Sequence, residues 1–409
     1  MNDCLFFGQN RNFFLNNLKK INQPTQLDNS EINEKQIQTI AESDLTTTFL
    51  FENGKAIQYL HHTQKKQSQK IPIKNIQKIT SGSQVEAILT IEGNVFSKGE
   101  DINEILSTEF INISSLIEDT NDRVIQDIVC GRYATYLLTS NQNAYGIGSN
   151  QFSQLGLATI TCEKTEYPIL MMKNVSKIFS GNCSDSVFLL NLNQELFGCG
   201  YNYSGQLGLG ESRNETKINK LTKIQNIPKG KIIDIQCGYY HSIMLIENEI
   251  SGLRKVYSCG GYKFNGFGKN QTIREFTELE SSLFENDNIL RISCGGSHTL
   301  ILTSNSKLIG FGYNYNRQLG VKQVDRTEIP IQIELPKLRF NEDISNYHIS
   351  CGNNNSFLYY SPSFSNLEED LIKLFRRKEF CNISFKTKNE EIIEAHKLIL
   401  KYRLNQNRK

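Results

Sequence analysis

Two histidines in matching surroundings are the first candidates for chemistry. His241 and His298 stand in the motif Cys-Gly-x-x-His-Ser/Thr, at 237–242 and 294–299. Histidine can serve as a general base or a metal ligand. Two histidines in equivalent slots of a repeat are held apart by the repeat geometry, however, so they do not converge on one site. We therefore expect each to make a structural hydrogen bond within its own repeat unit.

Glycine runs are the second candidate, because glycine-rich loops can cradle phosphate. The runs are Gly-Gln-Leu-Gly-Leu-Gly at 205–210 and Gly-Phe-Gly at 310–312. A nucleotide loop needs a following helix whose N-terminus faces the phosphate, and strands and turns flank these runs instead. No paired carboxylates, nucleophile-base pair or metal-ligand spacing stands out either. The sequence predicts no catalytic residue, no metal site and no cofactor.

Charged and polar runs give no nucleic-acid signal. His61 and His62 open a lysine-containing polar segment that is expected to be a solvated loop, and a basic run at 376–378 is expected to be a solvated helix face. The chain of 409 residues has 45 Lys+Arg and 43 Asp+Glu, a net charge of +2. This balance argues against a general grip on nucleic acid.

The chain contains no long apolar run and no secretion signal at its N-terminus. We expect an intracellular protein, cytoplasmic or nuclear, without a membrane contact. Its ten cysteines form no Cys-x-x-Cys pair and are expected to be reduced. Six of them precede a glycine in two recurring slots and are expected to be small buried hydrophobes; they are Cys130, Cys199, Cys237, Cys259, Cys294 and Cys351.

An internal repeat organises most of the chain. Five glycines recur at intervals of 50 to 57 residues, each after a β-rich run: Gly131, Gly181, Gly238, Gly295 and Gly352. Each marks a first half-unit, two short strands around a bend. A second half-unit contains the turn Asn-x-x-x-Gln-Leu-Gly, at 150–156, 202–208 and 314–320. A period of this length is typical of arrays and propellers.

The count of half-units indicates a closed ring. Weaker first halves at 37–53 and 76–93, with Ser43 and Gly82 at the bend, bring the first halves to seven, whereas only six second halves follow them. The missing second half lies at Cys4–Asn10, which has no first half before it. N-terminal strands that complete the last blade would remove exposed sheet edges. The sequence thus predicts an all-β, seven-bladed propeller over 1–361.

These motifs resemble the regulator of chromosome condensation (RCC) repeat family. The resemblance implies seven four-stranded blades closed by a mixed blade, and it is weakest over about 32–123. After a linker at 361–366, residues 367–375 carry a helical apolar stripe. Residues 380–400, with Ala395, His396 and Lys397, resemble the start of a BTB/POZ domain, although Asn382 replaces the family's usual aspartate. We expect residues 362–409 to form a short α/β fragment.

The first functional hypothesis is a protein-interaction scaffold whose loops bind a partner. If a full-length form completes the BTB/POZ domain, the resemblance implies a substrate adaptor that recruits a cullin-type ubiquitin ligase. The alternative function is guanine-nucleotide exchange on a Ran-like small GTPase, and it is the one catalytic activity that we consider for this chain. The candidate partner contact is the long hairpin of the fifth blade, with residues Glu247, Asn248, Glu249, Leu253, Arg254 and Lys255.

Overall fold

The computed structural model describes residues 4–9, 20–27, 32, 36–61, 68–99, 109–158, 163–212, 215–285, 287–336, 344–361, 383–386 and 392–395. Contacts divide the chain into two units, Met1–Ser361 and Pro362–Lys409. None of the helices in this described part is long and apolar enough to cross a membrane.

Seven four-stranded antiparallel sheets form the first unit. This confirms the predicted all-β, seven-bladed propeller. The strands are β1 Cys4–Gln9, β2 Lys20–Gln26, β3 Ile37–Glu42, β4 Thr46–Phe51, β5 Ala56–Leu60, β6 Ser68–Lys70, β7 Ile76–Ser81, β8 Val85–Thr90, β9 Val95–Gly99, β10 Ile111–Asn112, β11 Ile125–Cys130, β12 Ala134–Thr139, β13 Ala144–Ser149, β14 Lys164–Met172, β15 Val175–Phe179, β16 Ser186–Asn191, β17 Leu196–Tyr201, β18 Lys217–Lys223, β19 Lys231–Cys237, β20 His241–Glu247, β21 Arg254–Gly260, β22 Ile273–Glu278, β23 Ile289–Cys294, β24 His298–Thr303, β25 Leu308–Tyr313, β26 Arg326–Ile333, β27 Tyr347–Cys351 and β28 Asn355–Tyr360. Short 3-10 turns occupy Ser114–Leu116, Thr120–Asp122 and Ile344–Asn346.

Each blade is a meander from an inner to an outer strand. Blades 1 to 6 are formed by β3–β6, β7–β10, β11–β14, β15–β18, β19–β22 and β23–β26, and blade 7 has the order β2-β1-β28-β27. The meander places two kinds of connection at opposite ends. On the turn face, the inner strand turns into the second and the third into the outer; on the hairpin face lie the second-to-third hairpins and the connections between blades.

The N-terminal strands close the ring in blade 7. Strand β1 pairs with β28 from Cys4 opposite Tyr359 to Gly8 opposite Asn355. Phe6 lies against Phe357 with ring centroids 5.0 Å apart, and Phe357 contacts Phe49 of blade 1 at 6.0 Å. One aromatic cluster therefore joins the first residues of the chain, the last blade and the first blade.

The core lies between the blades, since each sheet buries both faces against its neighbours. Every residue of the second strands β4, β12 and β24 is buried. The six cysteines of the recurring slots are free and buried, which confirms their predicted role as small core residues. Such a core is a stack of seven similar interfaces.

The bend positions also follow the prediction. Ser43 and Gly82 donate the same main-chain hydrogen bond, to Thr46 and Val85, that Gly295 donates to His298. A Cβ at Gly295 would lie 2.3 Å from the carbonyl oxygen of Gly352 in the next blade. Glycine is required there because the backbones of adjacent blades approach too closely for a side chain.

The second unit contains one antiparallel hairpin, β29 Ile383–Lys386 with β30 Ile392–Ala395. The expected helix at 367–375, and the BTB/POZ positions Asn382, His396 and Lys397, lie outside the described residues. The BTB/POZ resemblance therefore stays a prediction.

Deletion of residues 1–12 should open blade 7, because it removes β1 and leaves the edge of β28 unpaired. We expect the melting temperature to fall by several degrees or the cooperative transition to be lost in thermal scans. The subtler change Phe6→Ala should cost about 3–5 kcal/mol in the free energy of unfolding. Ile250→Ala is the matched control, because this side chain is 98% exposed. It should change the free energy of unfolding by less than about 0.5 kcal/mol. An unchanged melt after the deletion would refute closure by β1.

Candidate functional site

The recurring histidines connect neighbouring blades. His241 Nε2 lies 2.8 Å from Thr299 Oγ1 of blade 6, and His298 Nε2 lies 2.9 Å from Ser356 Oγ of blade 7. The expected bond within one blade is therefore wrong, because the ring of each buried histidine faces the next sheet. Burial lowers the pKa of both imidazoles to about 3, and His241 adds to the effect on His298. Both are structural groups that stay neutral.

Another polar network replaces the histidine where blade 7 meets blade 1. Asn355 occupies the histidine slot and donates to Glu42 Oε2 at 2.9 Å. Thr47 binds the other oxygen of this carboxylate and lies 2.9 Å from His61 Nε2. His61 is only 8% exposed, so its expected place in a solvated loop is wrong; it supports the ring closure, while His62 lies outside the described residues.

The Asn-x-x-x-Gln-Leu-Gly turn is also an attachment between blades. In blade 4, Asn202 Oδ1 accepts from the amide of Leu207 at 3.1 Å, which fixes the turn. The carbonyl oxygen of Gln206 then accepts from Ser242 Oγ of blade 5 at 2.7 Å. Gly208 has a φ of +66°, and a Cβ there would lie 2.7 Å from Phe276 of the same neighbour. The glycine run at 205–210 thus packs against the next blade, a role that the sequence analysis did not predict.

Acid should weaken the ring through these histidines. Their pKa is about 6.5 when unfolded and about 3 when folded, so the unfolded chain binds more protons between these values. The contribution of the two neutral histidines to the free energy of unfolding is fully present above about pH 6.5. It should fall by roughly 3 kcal/mol per histidine by about pH 4.

The double variant His241→Asn/His298→Asn tests this, since Asn355 shows that asparagine fits the slot. Its free energy of unfolding, from urea titrations, should depend less on pH over this range than that of the wild type. Parallel pH profiles for the two proteins would contradict the assignment.

One turn at the centre of the turn face departs from the repeat. Six residues, 180–185, connect β15 to β16 in blade 4, whereas three connect the corresponding strands of the other blades. Asn182 Nδ2 donates to the carbonyl oxygen of Cys351 at 2.8 Å and to that of Glu42 at 3.3 Å. These acceptors belong to blades 7 and 1, so Asn182 spans the turn-face end of the central channel.

An ion pair between a half-buried arginine and a buried aspartate, with open hydrogen-bonding positions, lies beside this turn. Asp185 Oδ2 is 3.5 Å from Arg132 Nη1, while Asp185 Oδ1 and Arg132 Nε are buried without a partner among the described residues. Burial raises the pKa of Asp185 to about 6, although Arg132 opposes the shift. The Arg132 guanidinium also lies over the rings of Tyr133 and Tyr239, at 4.7 and 5.1 Å. The carboxylate is therefore incompletely compensated.

Aromatic side chains surround this pair on the turn face of blades 3 to 6. We call them the aromatic arc: Phe152, Tyr201, Tyr203, Tyr239, Tyr240, Phe264, Tyr313 and Tyr315. The rings form two groups, the first three and the last five of this list. Within each group, the centroids of successive rings lie 4.9 to 6.3 Å apart. Tyr203, Tyr240 and Tyr315 are 64%, 37% and 51% exposed. The arc presents large apolar rings with polar hydroxyls to solvent, the side-chain chemistry that is enriched in protein interfaces.

The predicted partner contact lies on the opposite, hairpin face. Six residues, 248–253, join β20 to β21, whereas four join the corresponding strands of blades 1, 2, 3, 4 and 6. Asn248 Oδ1 accepts from the amides of Ile250 and Ser251, at 3.0 and 2.9 Å, which orders the tip. Glu247 pairs with Arg254 at 2.8 Å, and Lys255 pairs with Glu278 at 2.6 Å.

The structure thus brings the six predicted residues together at one hairpin. Ile250, which the prediction omitted, is the most exposed large apolar residue there. A groove of about 630 Å³ lies beside the base of the hairpin and is lined in part by Leu253, Val256 and Phe284.

Sequence reasoning missed the turn-face site, although signals for it exist. The Tyr-Asn-Tyr triplets at 201–203 and 313–315 precede the same turn in two blades, and Tyr239-Tyr240 follows a bend glycine. Four residues, 182–185, separate Gly181 from the next strand, whereas two follow the bend residue in the other blades; this difference is visible only when the strands on both sides are aligned.

Two segments match the family model of the regulator of chromosome condensation (RCC1) repeat, residues 193–245 and 289–318. They cover parts of blades 4, 5 and 6, where the motifs are clearest. The chain carries RCC1 repeats and folds as an RCC1-like propeller.

Curated relatives match over part of their length. The human probable E3 ubiquitin-protein ligase HERC4 is 27% identical over 268 residues, which is 62% of this chain and 24% of the relative. The ultraviolet-B receptor UVR8 of Arabidopsis thaliana is 26% identical over 229 residues, 56% of this chain and 49% of the relative. The matched region thus spans a quarter to a half of these proteins.

Solved structures extend the likeness to the whole ring. Yeast RCC1 (Prp20), solved with Kap60 bound, has a TM-score of 0.73 at 16% identity and covers 91% of this chain and 92% of its own. Human WBSCR16 has a TM-score of 0.71 at 16% identity, with 89% and 100% covered. At these identities the likeness concerns the fold.

Proposed function

We propose that this chain is a protein-interaction scaffold whose partner docks on the aromatic arc. The observation that carries the proposal is the exposure of Tyr203, Tyr240 and Tyr315 on one rigid face, around the incompletely compensated Asp185. Tyrosine and arginine are the residue types that most often dominate binding energy at interfaces. The arc provides the tyrosines, and Arg132, which lies over the ring of Tyr239, provides the arginine, without ordering a loop.

The frame supports such a role because it fixes the loops. The turns that hold the arc are bonded to the next blade through their glutamine carbonyls and packed against it through their glycines. Little conformational entropy is therefore lost when a partner binds. A partner that offers a cationic or hydrogen-bond-donating side chain to Asp185 would complete its open oxygen, at a carboxylate that burial has already desolvated.

The long hairpin of blade 5 is proposed as a second, separate contact. Its predicted residues, from Glu247 to Lys255, lie on the hairpin face, so a partner there would leave the aromatic arc free. Two partners could then be held at once. A role as a ubiquitin-ligase adaptor remains part of the proposal: HERC4 is described as a probable ubiquitin ligase, and cullin recruitment depends on a completed BTB/POZ domain.

The alternative is guanine-nucleotide exchange on a Ran-like GTPase. It is supported by the likeness to Prp20p of Saccharomyces cerevisiae, with a TM-score of 0.72 at 17% identity; that structure is described together with binding to Gsp1p and histones.

We propose no specific nucleic-acid partner and no membrane partner, and we propose that the protein acts in the cytoplasm or nucleus.

A pull-down from the lysate of the source cells tests the docking site. The full chain is compared with the variants Tyr203→Ser/Tyr315→Ser and, as the control on the other face, Ile250→Ser. Partners of the arc should bind about tenfold more weakly to the tyrosine variant, a loss of about 1.4 kcal/mol, and equally well to the control. Partners lost from Ile250→Ser but retained by the tyrosine variant would move the docking site to the hairpin face.

The same experiment separates the two functions when it is run with EDTA, and again with excess GTP and Mg²⁺. An exchange factor prefers the nucleotide-free GTPase, so a small GTPase retained only with EDTA would favour exchange. Partners whose capture is independent of nucleotide would favour the scaffold.

A further inference from the structure

The central channel carries a belt of charged side chains at one level of the ring. The inner strand of each blade contributes one residue to this belt. In six blades that residue lies just after a register shift of the inner strand. In all seven blades it is paired, across the sheet, with the equivalent position of the second strand. The channel belt consists, from blade 1 to blade 7, of Thr39, Lys78, Asp127, Lys177, Asp234, Arg291 and His348. The charge alternates in sign from blade 2 to blade 6.

A cavity of about 530 Å³ lies in the channel and is lined by the belt, apart from His348, and by the next residue of every inner strand. That next residue is isoleucine in all seven blades: Ile40, Ile79, Ile128, Ile178, Ile235, Ile292 and Ile349. These seven isoleucines provide no counter-charge to the belt. Since Asn182 spans the turn-face end, a small molecule would enter from the hairpin face.

The belt holds one more cation than carboxylate. Lys78 and Asp127 form an ion pair at 2.7 Å, which leaves Lys177 and Arg291 with Asp234. Asp234 Oδ2 accepts from Gln236 Nε2 at 2.9 Å, and burial raises its pKa. The other acid of the cavity wall, Glu42, is engaged by Asn355 and Thr47 at the blade 7–blade 1 contact.

Within the described part of the chain, the two remaining cations donate hydrogen bonds only to main-chain oxygens. Arg291 donates to the carbonyl oxygens of Leu290 and Ser345, at 3.1 and 3.3 Å, and Lys177 donates to that of Ile233 at 3.3 Å. Among the described residues, no carboxylate oxygen lies within 4.0 Å of either. Burial lowers the pKa of Arg291 and the nearby Arg254 adds to this effect, whereas Tyr359 and Asp234 oppose it without cancelling it. A guanidinium in this position is stabilised by an added anion.

A buried hydroxyl gives independent support for a ligand. Ser81 Oγ belongs to a residue 6% exposed, has no hydrogen-bond partner among the described residues, and its residue lines the same cavity. The side-chain oxygen of Asn182, at the end of the cavity, is also buried without a partner. Buried polar atoms usually have partners, so two open groups on one cavity wall indicate a polar occupant.

We propose that the central channel binds a small molecule that bears a phosphate group, with Arg291 and Lys177 as its cationic contacts. The planar guanidinium suits phosphate because it can donate two parallel hydrogen bonds. Ser81 supplies a hydroxyl donor from the wall. The cavity volume falls within the usual range for small-molecule sites. This site is independent of the aromatic arc and of the scaffold function.

Titration of the full chain with inorganic phosphate tests the proposal, by phosphorus NMR and calorimetry at constant ionic strength and about pH 8. Glycerol phosphate, which bears the same group on a small molecule, and acetate are titrated in parallel. We expect saturable binding of both phosphates and at least about tenfold weaker binding of acetate.

Three variants locate the site. Arg291→Gln should weaken phosphate binding at least about tenfold, whereas Asp234→Asn should strengthen it several-fold, because it removes the opposing charge. Arg326→Gln is the matched control: this arginine lies on the outer strand of the same blade, away from the cavity lining, and pairs with Glu328 at 2.9 Å, so its loss should change the affinity by less than about threefold. A merely structural belt would destabilise the fold in both Arg291→Gln and Asp234→Asn without opposite effects on phosphate.

The proposal is overturned if the wild type shows no saturable phosphate binding, or if acetate binds equally well. It is also overturned if Arg291→Gln and Asp234→Asn, each shown to be folded by circular dichroism, bind phosphate like the wild type. Should Arg291→Gln fail to fold, Arg291→Lys keeps the charge and should retain most of the affinity, while Asp234→Asn still tests the sign of the effect.

Discussion

The structure depends on one constraint: a blade cannot bury its own two faces. Each four-stranded sheet has apolar side chains on both sides, and only a neighbouring sheet on each side removes them from water. Six such interfaces form between consecutive blades. The seventh requires the first and last blades to meet, and the cluster of Phe6, Phe357 and Phe49 lies at this contact. The ring is therefore stable as a whole.

Contacts between blades explain most of the residues that recur in the sequence. The histidine, the bend glycine and the Gln-Leu-Gly turn each contact the following blade, so the repeat preserves the interface between units. Where blade 7 meets blade 1, the same task falls to Asn355, Glu42 and Thr47. This substitution explains how blade 7 contacts blade 1 although it lacks the histidine.

The fold could be predicted because repetition reveals the bends, and the offset of half-units reveals the closure. The outer strands were not apparent, since strands such as Ser68–Lys70 are short, exposed and free of a repeated motif. The direction of the histidine bonds was missed because a pattern along the chain does not show which sheet a side chain faces. The aromatic arc and the channel belt require three-dimensional convergence from several blades. Only the hairpin candidates, contiguous in sequence, could be placed together beforehand.

The pairing of β1 with β28 also has a consequence for biosynthesis. The strand at Cys4–Gln9 is synthesised before its partner at Asn355–Tyr360, which follows about 350 residues later; at cellular elongation rates this interval is on the order of tens of seconds. Throughout this interval the apolar strand Cys-Leu-Phe-Phe can pair with β2 along one edge only, and its other edge stays without β28. Its last folding step closes a very long loop, so translation speed and the chaperones that protect such strands influence the yield of this ring.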